Sequence, residues 1–363
     1  MKLLEKTTLG EKTLSNRMAM APMTRSRANK DGIIGAMTVI YYTQRASAGL
    51  LISEGINISG QALGSPLTPG LFTQEQTDAW KKVTKAVHEA GGVIYAQLWH
   101  TGRVGHSVDK NGELPVAPSA ISIQGQKHFT MQGLKEFETP HALTLPEIKQ
   151  IIEDYRKAAI NAIEAGFDGV ELHAANGYLP HQFLADNANQ RTDEYGGSIE
   201  NKSRFILETM QALVQAVGRD KVGIRLSPTV PYNDIYLVDP VEQFTHLIGE
   251  LDKMPLSYIH LMNSMFPRDK TPHYPMEVIE TFGKLTNHTI IANGNYTKET
   301  GEAVIERGDA DIISYGALFL ANPDLPLRFK LNSELNTPDR NTFFSGGEKG
   351  YIDYPFLESR NES

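Results

Sequence analysis

The sequence contains no cysteine among its 363 residues. This absence excludes disulfide bonds, thiolate zinc sites, iron–sulfur clusters and cysteine nucleophiles. No apolar run approaches the ~20 residues that a membrane-spanning helix requires. The N-terminus, MKLLEKTTLGEKTL, is charged and amphipathic and lacks the apolar core of a signal peptide. We therefore expect a cytoplasmic protein with no membrane partner.

Positive charge is also scarce, because 35 lysines and arginines are outnumbered by 43 acidic residues, for a net charge of -8. This balance argues against a nucleic-acid partner, whose phosphate backbone demands a basic surface. The remaining composition, with 40% hydrophobic residues, 31 glycines and 19 prolines, is typical of a soluble globular protein. The length suits a single α/β barrel.

Short apolar runs alternate along the chain with longer helical patterns. The runs are mostly apolar throughout, as expected of parallel strands that are buried on both faces. They lie at 17–23, 49–58, 93–99, 169–173, 222–228, 258–262, 289–294 and 311–316. Helical patterns lie at 75–90, 146–164, 198–217, 240–251, 276–285 and 298–307. Eight strands, each followed by a helix or a connection of helical length, predict an α/β fold, a (β/α)8 TIM barrel that forms one domain over 1–363.

The alternative architecture is an open, doubly wound sheet. It is disfavoured because no glycine fingerprint follows the first strand. The first dozen residues, including TLGEKTL, predict a small hairpin at the bottom of the barrel. Two long connections, at 100–143 and 174–197, are expected on the C-terminal face, where barrel enzymes place their chemistry. The first of them predicts a long capping loop after strand 3.

Seven of the eight predicted strands end in hydrogen-bonding groups or glycine, and in a barrel these ends meet at one rim. Together they favour a pocket for a planar polar ligand. The residues are Pro22, Met23 and Thr24; Glu54 and Gly55; Gln97, Trp99 and His100; His173; Arg225; Asn293, Gly294 and Asn295; and Tyr315, Gly316 and Ala317.

Arg225 lies within an apolar strand, where a guanidinium is costly unless an anion or several acceptors meet it. A bound ligand would satisfy it, and so would a salt bridge to Glu171 or Glu54. The glycine-containing loops after strands 7 and 8 suit a phosphate site at the barrel rim, but simple turns would explain them equally well. The residues alone leave both alternatives open.

His173, Asn176 and Tyr178 follow one another closely after the fourth strand. His173 and Asn176 are three residues apart, so that one turn places both on the same side, where both can donate to one oxygen. Such a pair can polarise a carbonyl or nitro group. Tyr178, with an ordinary pKa of about 10, carries a proton at neutral pH and is a candidate acid. The alternative, a metal site, lacks a second ligand at suitable spacing.

Two further features of this segment have a structural interpretation. His181 lies on an apolar helix and is expected to be structural. The stretch RTDEYGGSIEN predicts a polar scaffold that caps the following helix through Ser198.

Longer motifs extend over nearly the whole chain. They are APMTRSRA (21–28), YYTQRASAGLLISEG (41–55), AQLWHTGRVGH (96–106), PVAPSAI (115–121), HAANGYLPHQFL with NQRTDEYGGSIENKSRF (173–205), VGIRLSP (222–228), ANPDL (321–325) and GYIDYP (350–355). With these motifs the chain resembles the Old Yellow Enzyme family of FMN-dependent ene-reductases. QLWHTGR and PVAPSA are most similar to its bacterial branch, which reduces nitro compounds and enones.

The resemblance implies FMN as cofactor and NADH or NADPH as reductant. The implied substrates are small electrophiles: α,β-unsaturated carbonyls, nitroalkenes, nitro compounds or quinones. NAD(P)H would reduce FMN, and the flavin would then pass a hydride to Cβ of the alkene while Tyr178 protonates Cα. The cofactor supplies the hydride chemistry, and the protein supplies positioning and electrostatics. The expected assembly is a monomer or a homodimer.

The resemblance also implies a role for each site residue. Thr24 would form a hydrogen bond to the flavin carbonyl beside N5, and Gly55 would give the isoalloxazine ring room and a backbone contact. Gln97 would bind the pyrimidine edge of the ring, and Arg225 would lie by its N1. His173 and Asn176 would hold the substrate oxygen. Trp99 and Tyr351 would line the substrate pocket. The other expected cofactor contacts are Pro22, Met23, Asn293, Gly294, Asn295, Gly316 and Ala317.

One position departs from the family pattern. After strand 8 the family usually has an arginine that grips the FMN phosphate, and here Ala317 follows Gly316. A missing charged contact is worth about 1.5–3 kcal/mol. We therefore expect the backbone N–H groups of Gly294, Asn295, Gly316 and Ala317 to carry the phosphate, with weaker retention of FMN.

Two other functional classes compete with an ene-reductase. One is a flavin-free, phosphate-binding barrel isomerase or lyase, for which Glu54 is the only real candidate base. The other is a flavin-binding protein without turnover, against which the intact His173, Asn176 and Tyr178 argue. The sequence leaves open the physiological substrate and the choice between NADH and NADPH.

Overall fold

A closed barrel of eight parallel strands occupies the centre of the molecule. The computed structural model describes residues 1–264, 269 and 271–357. The barrel strands are β1 (Met18–Met20), β2 (Leu50–Asn57), β3 (Ile94–Trp99), β4 (Gly169–Ala174), β5 (Val222–Leu226), β6 (Tyr258–Met262), β7 (Thr289–Asn293) and β8 (Ile312–Tyr315). They follow one another in chain order, and β8 pairs with β1. The predicted barrel is confirmed, and the open sheet is wrong.

Helices surround the barrel. They are α1 (Ala36–Gln44), α2 (Gln74–Glu89), α3 (Leu145–Glu164), α4 (Leu179–Leu184), α5 (Ile199–Val217), α6 (Pro240–Leu251), α7 (Val278–Phe282), α8 (Lys298–Arg307), α9 (Ala317–Ala321) and α10 (Leu325–Leu331). Short 3-10 helices lie at Lys2–Leu4, Ser107–Asp109, Gly283–Leu285 and Arg340–Thr342. All the predicted helices are present, whereas α1, α4, α9 and α10 were not predicted. Within the described ranges, no helix is long and apolar enough to cross a membrane.

Helix α3 shows how local signals set an element. The Thr144 hydroxyl accepts from the backbone N–H of Glu147, and the Glu147 carboxylate accepts from the N–H of Thr144 at 2.7 Å. This reciprocal pair satisfies two N–H groups that the first turn leaves unbonded. Gly166, just beyond the helix, has φ +90, a conformation in which a side chain would be strained. Both predicted ends of the helix are confirmed.

The lower end of the barrel is closed by an N-terminal hairpin of strands Thr7–Leu9 and Lys12–Leu14. Leu9 and Leu14 are buried in a hydrophobic cluster with barrel residues such as Tyr95 and Tyr258. Because this cluster fills the lower interior with apolar groups, polar chemistry is confined to the opposite rim. The predicted hairpin at the bottom is confirmed.

The capping loop after β3 folds into two small two-stranded sheets on the rim. Val116–Ala117 pairs with His141–Ala142, and Lys127–Thr130 pairs with Gly133–Glu136. Arg191 fixes this loop to the segment that follows β4, since its guanidinium donates to the carbonyl of Pro118 at 2.9 Å and forms an ion pair with Asp193. The Ser198 hydroxyl caps α5 by accepting from Asn201, so the predicted scaffold role of this segment is confirmed.

Candidate active site

A cleft of about 600 Å³ lies where the strands of the barrel end. It is lined by residues that follow β1, β4, β7 and β8, and by Arg225 within β5. The structure thus brings together most of the residues that were predicted to bind a cofactor. Those that line the cleft are Pro22, Met23, Thr24, Arg225, Asn293, Asn295, Gly316 and Ala317, whereas Gly55, Gln97 and Gly294 do not. Asn176, which was predicted to bind the substrate, lines the cleft as well.

Arg225 is a buried cation that forms no ion pair with a carboxylate in the described part of the chain. Its Nη2 donates to Asn293 Oδ1 at 2.8 Å, and its Nε has no hydrogen-bond partner among the described residues. Both carboxylates that might have neutralised it are engaged elsewhere: Glu171 pairs with His260, and Glu54 accepts from the backbone N–H of Arg25. Burial lowers the pKa of Arg225. The salt-bridge interpretation is therefore wrong, and a buried donor remains available to a ligand.

His173, Tyr178 and Trp99 form an aromatic cluster at the ends of β3 and β4. The His173 ring lies 4.9 Å from Tyr178 and 6.4 Å from Trp99, and Tyr178 meets Trp99 edge to face at 5.0 Å. His173 is the register neighbour of Arg225, so the cluster lies next to the cleft, but none of its three rings is among the residues that line it. The Nδ1 of His173 and the Nε1 of Trp99 are buried and have no partner among the described residues.

The electrostatics of the cluster fix its protonation state. Burial, and then the nearby Arg225, hold the pKa of His173 well below its ordinary value, so the imidazole is neutral. Burial raises the pKa of the Tyr178 phenol, which therefore keeps its proton. Near neutral pH the cluster thus presents a neutral imidazole and a protonated phenol, two groups that can donate hydrogen bonds to one ligand.

Asn176 connects this cluster to the cleft through an unusual backbone. It has φ +56, and Gly177 follows with φ +76. The N–H of Asn176 donates to Ser227 Oγ at 2.8 Å, and its carbonyl accepts from Asn233 at 2.8 Å. With its main chain held on both sides, Asn176 lines the cleft, and its side-chain amide forms no hydrogen bond to the described residues. The predicted proximity of His173 and Asn176 therefore rests on a left-handed turn rather than on a helical one.

His181 and Glu54 lie close to the site but do not line the cleft. The Nδ1 of His181 accepts from the N–H of Gly177 at 3.2 Å, and its ring meets Phe244. Its predicted structural role is confirmed. Glu54 is buried, which raises its pKa to about 7. The flavin-free isomerase loses support, because its only candidate base does not reach the cleft.

Gly55 and Gln97 serve the barrel interior in ways that the sequence did not predict. A Cβ at Gly55 would lie 2.7 Å from the Trp99 ring, so the glycine gives room to Trp99. Gln97 donates to Glu171 at 2.8 Å, and neither residue lines the cleft. A direct contact of Gly55 or Gln97 with a flavin remains a prediction.

A polar chain across the barrel was missed in the sequence. Gln97 donates to Glu171, Glu171 lies 2.8 Å from His260 Nδ1, and His260 Nε2 lies 2.8 Å from Ser314 Oγ. It joins β3, β4, β6 and β8, and only Ser314 reaches the cleft. Each buried polar group thereby gains a partner, which avoids the cost of leaving it unpaired. Sequence periodicity gives no signal for this chain, because it depends on inter-strand register.

Tyr351 is not among the residues that line this cleft, and its assignment to a substrate pocket remains a prediction. The side chain is fully buried and stacks on Tyr41 with ring centroids 4.4 Å apart. The guanidinium groups of Arg25 and Arg27 lie over its ring, at 5.0 and 4.5 Å from the centroid. Tyr351 therefore anchors the C-terminal segment to α1.

The C-terminal segment contributes three cleft residues that were not predicted: Arg340, Phe343 and Phe344. Tyr296, after β7, is a fourth. In the sequence, the only indication of this part of the cleft was an arginine close to a pair of aromatic residues. These residues lie far along the chain from any predicted strand end. Within the described part of the chain, no acidic side chain lines the cleft.

Comparison with known proteins gives a consistent result. The sequence model of the NADH:flavin oxidoreductase / NADH oxidase family matches residues 2–336. The chain is 44% identical over 358 residues to 12-oxophytodienoate reductase 1 of Oryza sativa subsp. japonica, covering 98% of this chain and 93% of that protein.

Solved structures agree in fold as well as in sequence. Morphinone reductase in complex with tetrahydroNAD superposes with a TM-score of 0.93 at 44% identity, covering 100% of this chain and 99% of the other. An Old Yellow Enzyme homologue from Zymomonas mobilis gives a TM-score of 0.94 at 39% identity, covering 98% of this chain and 100% of the other. The equal identity to two differently named reductases does not single out a branch.

Proposed function

The chain belongs to the NADH:flavin oxidoreductase / NADH oxidase family, the Old Yellow Enzyme family of the sequence resemblance, and from that premise we propose that it reduces activated C=C bonds of α,β-unsaturated carbonyls and nitroalkenes. Membership makes it an FMN-dependent oxidoreductase that uses a nicotinamide as reductant. Relatives named as reductases of 12-oxophytodienoate and of morphinone support a small organic substrate. Nitro compounds and quinones are further candidate substrates.

The single observation that carries the proposal is the buried, neutral His173 with an unpartnered Nδ1, beside Tyr178 and next to a cationic cleft. A buried imidazole nitrogen without a partner costs free energy unless a ligand meets it. A carbonyl or nitro oxygen is an acceptor of the required kind. This arrangement is difficult to explain as packing alone.

FMN fits the donor set of the cleft. A flavin ring presents carbonyl oxygens and ring nitrogens, and its phosphate is an anion. Arg225 offers a buried, unpartnered Nε to the ring, and Thr24 lines the same cleft. Gly316 leaves open space, since a Cβ there would meet only the Met23 sulfur at 3.6 Å. Asn293 orients the Arg225 guanidinium through its Oδ1.

When bound, FMN would supply the hydride chemistry, with NAD(P)H as the reductant and the alkene carbon distal to the activating group as the acceptor. In our proposal His173 and Asn176 bind the oxygen of that group and draw electron density towards it. Two donors aimed at one oxygen stabilise the negative charge that develops there. Arg225 places a positive charge close by, which also keeps His173 neutral and available as a donor.

Tyr178 is the proposed proton donor to the carbon next to the activating group. Its phenol is protonated, lies edge to face against both His173 and Trp99, and forms no hydrogen bond to another described side chain. A donor that is held by packing and is not engaged elsewhere suits general acid catalysis.

Steady-state oxidation of NADH and of NADPH tests the proposal, with 2-cyclohexenone, a nitroalkene and menadione as acceptors. We expect oxidation of at least one nicotinamide to depend on the enone, with formation of the saturated ketone. A protein that binds FMN but oxidises neither nicotinamide with any acceptor would instead be a flavin-binding protein without turnover.

A further inference from the structure

The cleft carries positive charge at two separate places. Arg225 lies within β5, and Arg340 lies in the C-terminal segment, in the short 3-10 helix Arg340–Thr342. No acidic side chain among the described residues lines the same cleft. Neither guanidinium forms an ion pair with a described carboxylate, although the nearby Glu171 acts electrostatically on Arg225. Two such groups in one cleft favour an anionic ligand.

Arg340 has no partner among the residues that the structure describes. Its side chain is exposed and forms no ion pair or hydrogen bond with the part of the chain that the structure describes. Most other arginines here are engaged: Arg328 with Asp324, Arg191 with Asp193, and Arg307 with Asp309. A free guanidinium that faces a cleft is well suited to bind phosphate, because its forked donors match phosphate oxygens.

The backbone around Arg340 is held in place. The carbonyl of Phe343 accepts from Arg25 Nε at 3.1 Å, and the carbonyl of Thr342 accepts from Arg27 Nη2 at 2.9 Å. The Asp339 side chain accepts from the N–H of Asn341 and caps the 3-10 turn. These contacts fix the main chain on both sides of Arg340, so that its guanidinium is presented to the cleft from a defined position.

The loop after β8 brings no charge of its own. The end of β8, this loop and the start of α9 line the cleft with Tyr315, Gly316, Ala317 and Leu318, which are uncharged. Position 317, where the sequence resemblance implies an arginine for the phosphate, is alanine. Backbone N–H groups alone would leave a dianionic phosphate without a counter-charge at this side of the cleft.

We propose that Arg340 supplies the charged contact to the FMN phosphate, replacing from the C-terminal segment the arginine that is missing after Gly316. This inference rests on the proposed binding of FMN in this cleft. It adds a side chain to the backbone donors that the sequence predicted, and it gives a role to an arginine that lines the same cleft as Ala317 and has no partner among the described residues.

The test measures binding rather than turnover. FMN and riboflavin, which lacks the phosphate, are titrated into flavin-free protein, and the dissociation constant is obtained from flavin fluorescence. We expect Arg340→Ala to weaken FMN binding about 10- to 100-fold, the effect of one charge-assisted contact, and to leave riboflavin binding within about 2-fold. Arg219→Ala is the control, because Arg219 is exposed and its ion pair with Asp220 is remote from the cleft lining.

A second variant keeps the proposal falsifiable if Arg340→Ala perturbs folding. In the double variant Arg340→Ala with Ala317→Arg, a cation returns from the β8 side, and FMN affinity should recover most of the loss. Unchanged FMN affinity in Arg340→Ala, or equal losses for FMN and riboflavin, would overturn the inference while leaving the proposed function intact. Wild-type protein that binds neither flavin would overturn the proposed function itself, and this inference with it.

Discussion

The imidazole ring of His173 lies edge to face against the phenol ring of Tyr178, with centroids 4.9 Å apart and planes at 73°. The two residues lie on either side of the turn between β4 and α4, and Trp99 packs against both. Burial keeps the imidazole neutral and the phenol protonated. Two groups that can act on one substrate are thus fixed in relation to each other before any ligand arrives.

Tyr178→Phe separates proton donation from the other steps. We expect reduction of the flavin by the nicotinamide to proceed at the wild-type rate, because the phenol has no part in it. Enone reduction should slow by about 10²-fold or more, the usual contribution of a positioned general acid. Anaerobic stopped-flow measurement of each half-reaction provides the check. Equal rates with the enone would remove Tyr178 from its proposed role.

Asn176→Ala and His173→Ala each remove one proposed donor to the substrate oxygen. Since one hydrogen bond to a charged oxygen contributes about 1.5–3 kcal/mol, each change should weaken the binding of a phenolate ligand at least 10-fold. Spectral titration of the FMN-loaded protein with a para-substituted phenol measures this. The control is Gln150→Ala, which removes an exposed amide on α3 that does not line the cleft. Wild-type phenol affinity in both donor variants would refute the oxygen-binding assignment.

The rate of enone reduction should be insensitive to pH between about 6 and 9. The pKa of His173 is held well below its ordinary value of about 6.5, and that of Tyr178 lies above its ordinary value of about 10, so neither group titrates in this window. Stopped-flow rates of flavin reoxidation by the enone across the range test this. A transition near pH 7 that vanished in His173→Ala would show that the imidazole titrates after all.

The lowered pKa of His181 predicts that the folded protein loses stability in acid. Burial lowers its pKa to about 3, against about 6.5 in an unfolded chain, so only the unfolded state takes up this proton as the pH falls between those values. Stability is therefore lost on acidification, by about 3 kcal/mol at pH 4 from this residue. The variant His181→Gln keeps an acceptor for the N–H of Gly177. Its free energy of unfolding should fall by about that much less between pH 7 and pH 4 than the free energy of the wild type. Urea unfolding at both pH values, with FMN in the same excess, is the measurement.

Gly55→Ala tests the reassignment of Gly55 to the packing of Trp99. A Cβ 2.7 Å from the indole must displace the ring, and overpacking of this kind costs about 1–3 kcal/mol. Gly60→Ala, where a Cβ meets no atom within 4 Å, is the control and should be nearly neutral. Thermal unfolding midpoints of both variants decide the matter. Equal unfolding midpoints for Gly55→Ala and Gly60→Ala would mean that the Trp99 ring can move aside without cost.

The barrel could be predicted because its strands carry their own signal. Buried parallel strands read as short apolar runs, and all eight were found in this way. Helix α1 was missed because its sequence, AMTVIYYTQ, is rich in β-branched and aromatic residues that favour strands. Its helical state is stabilised by the burial of Tyr41 and Tyr42 in the core, which local propensity does not reveal.

The site was predictable only as far as strand ends determine it. Arg225, Asn293 and Thr24 follow from barrel geometry, since the ends of parallel strands share one rim. The contacts of Gly55 and Gln97 depend on strand register and on which side chains fill the barrel interior. Gly55 packs against Trp99, and Gln97 donates to Glu171. Tyr351 and Arg340 lie in a C-terminal segment without periodicity, so nothing local indicates which of them faces the cleft.

One measurement tests the central claim most directly. Protein loaded with FMN is mixed under anaerobic conditions with NADH or NADPH and then with 2-cyclohexenone, while the visible absorbance of the oxidised flavin is followed. We predict that the absorbance is bleached by at least one nicotinamide and restored by the enone, with one saturated ketone formed for each flavin reoxidised. Protein that takes up no FMN, or bound flavin that stays bleached when the enone is added, would contradict the account.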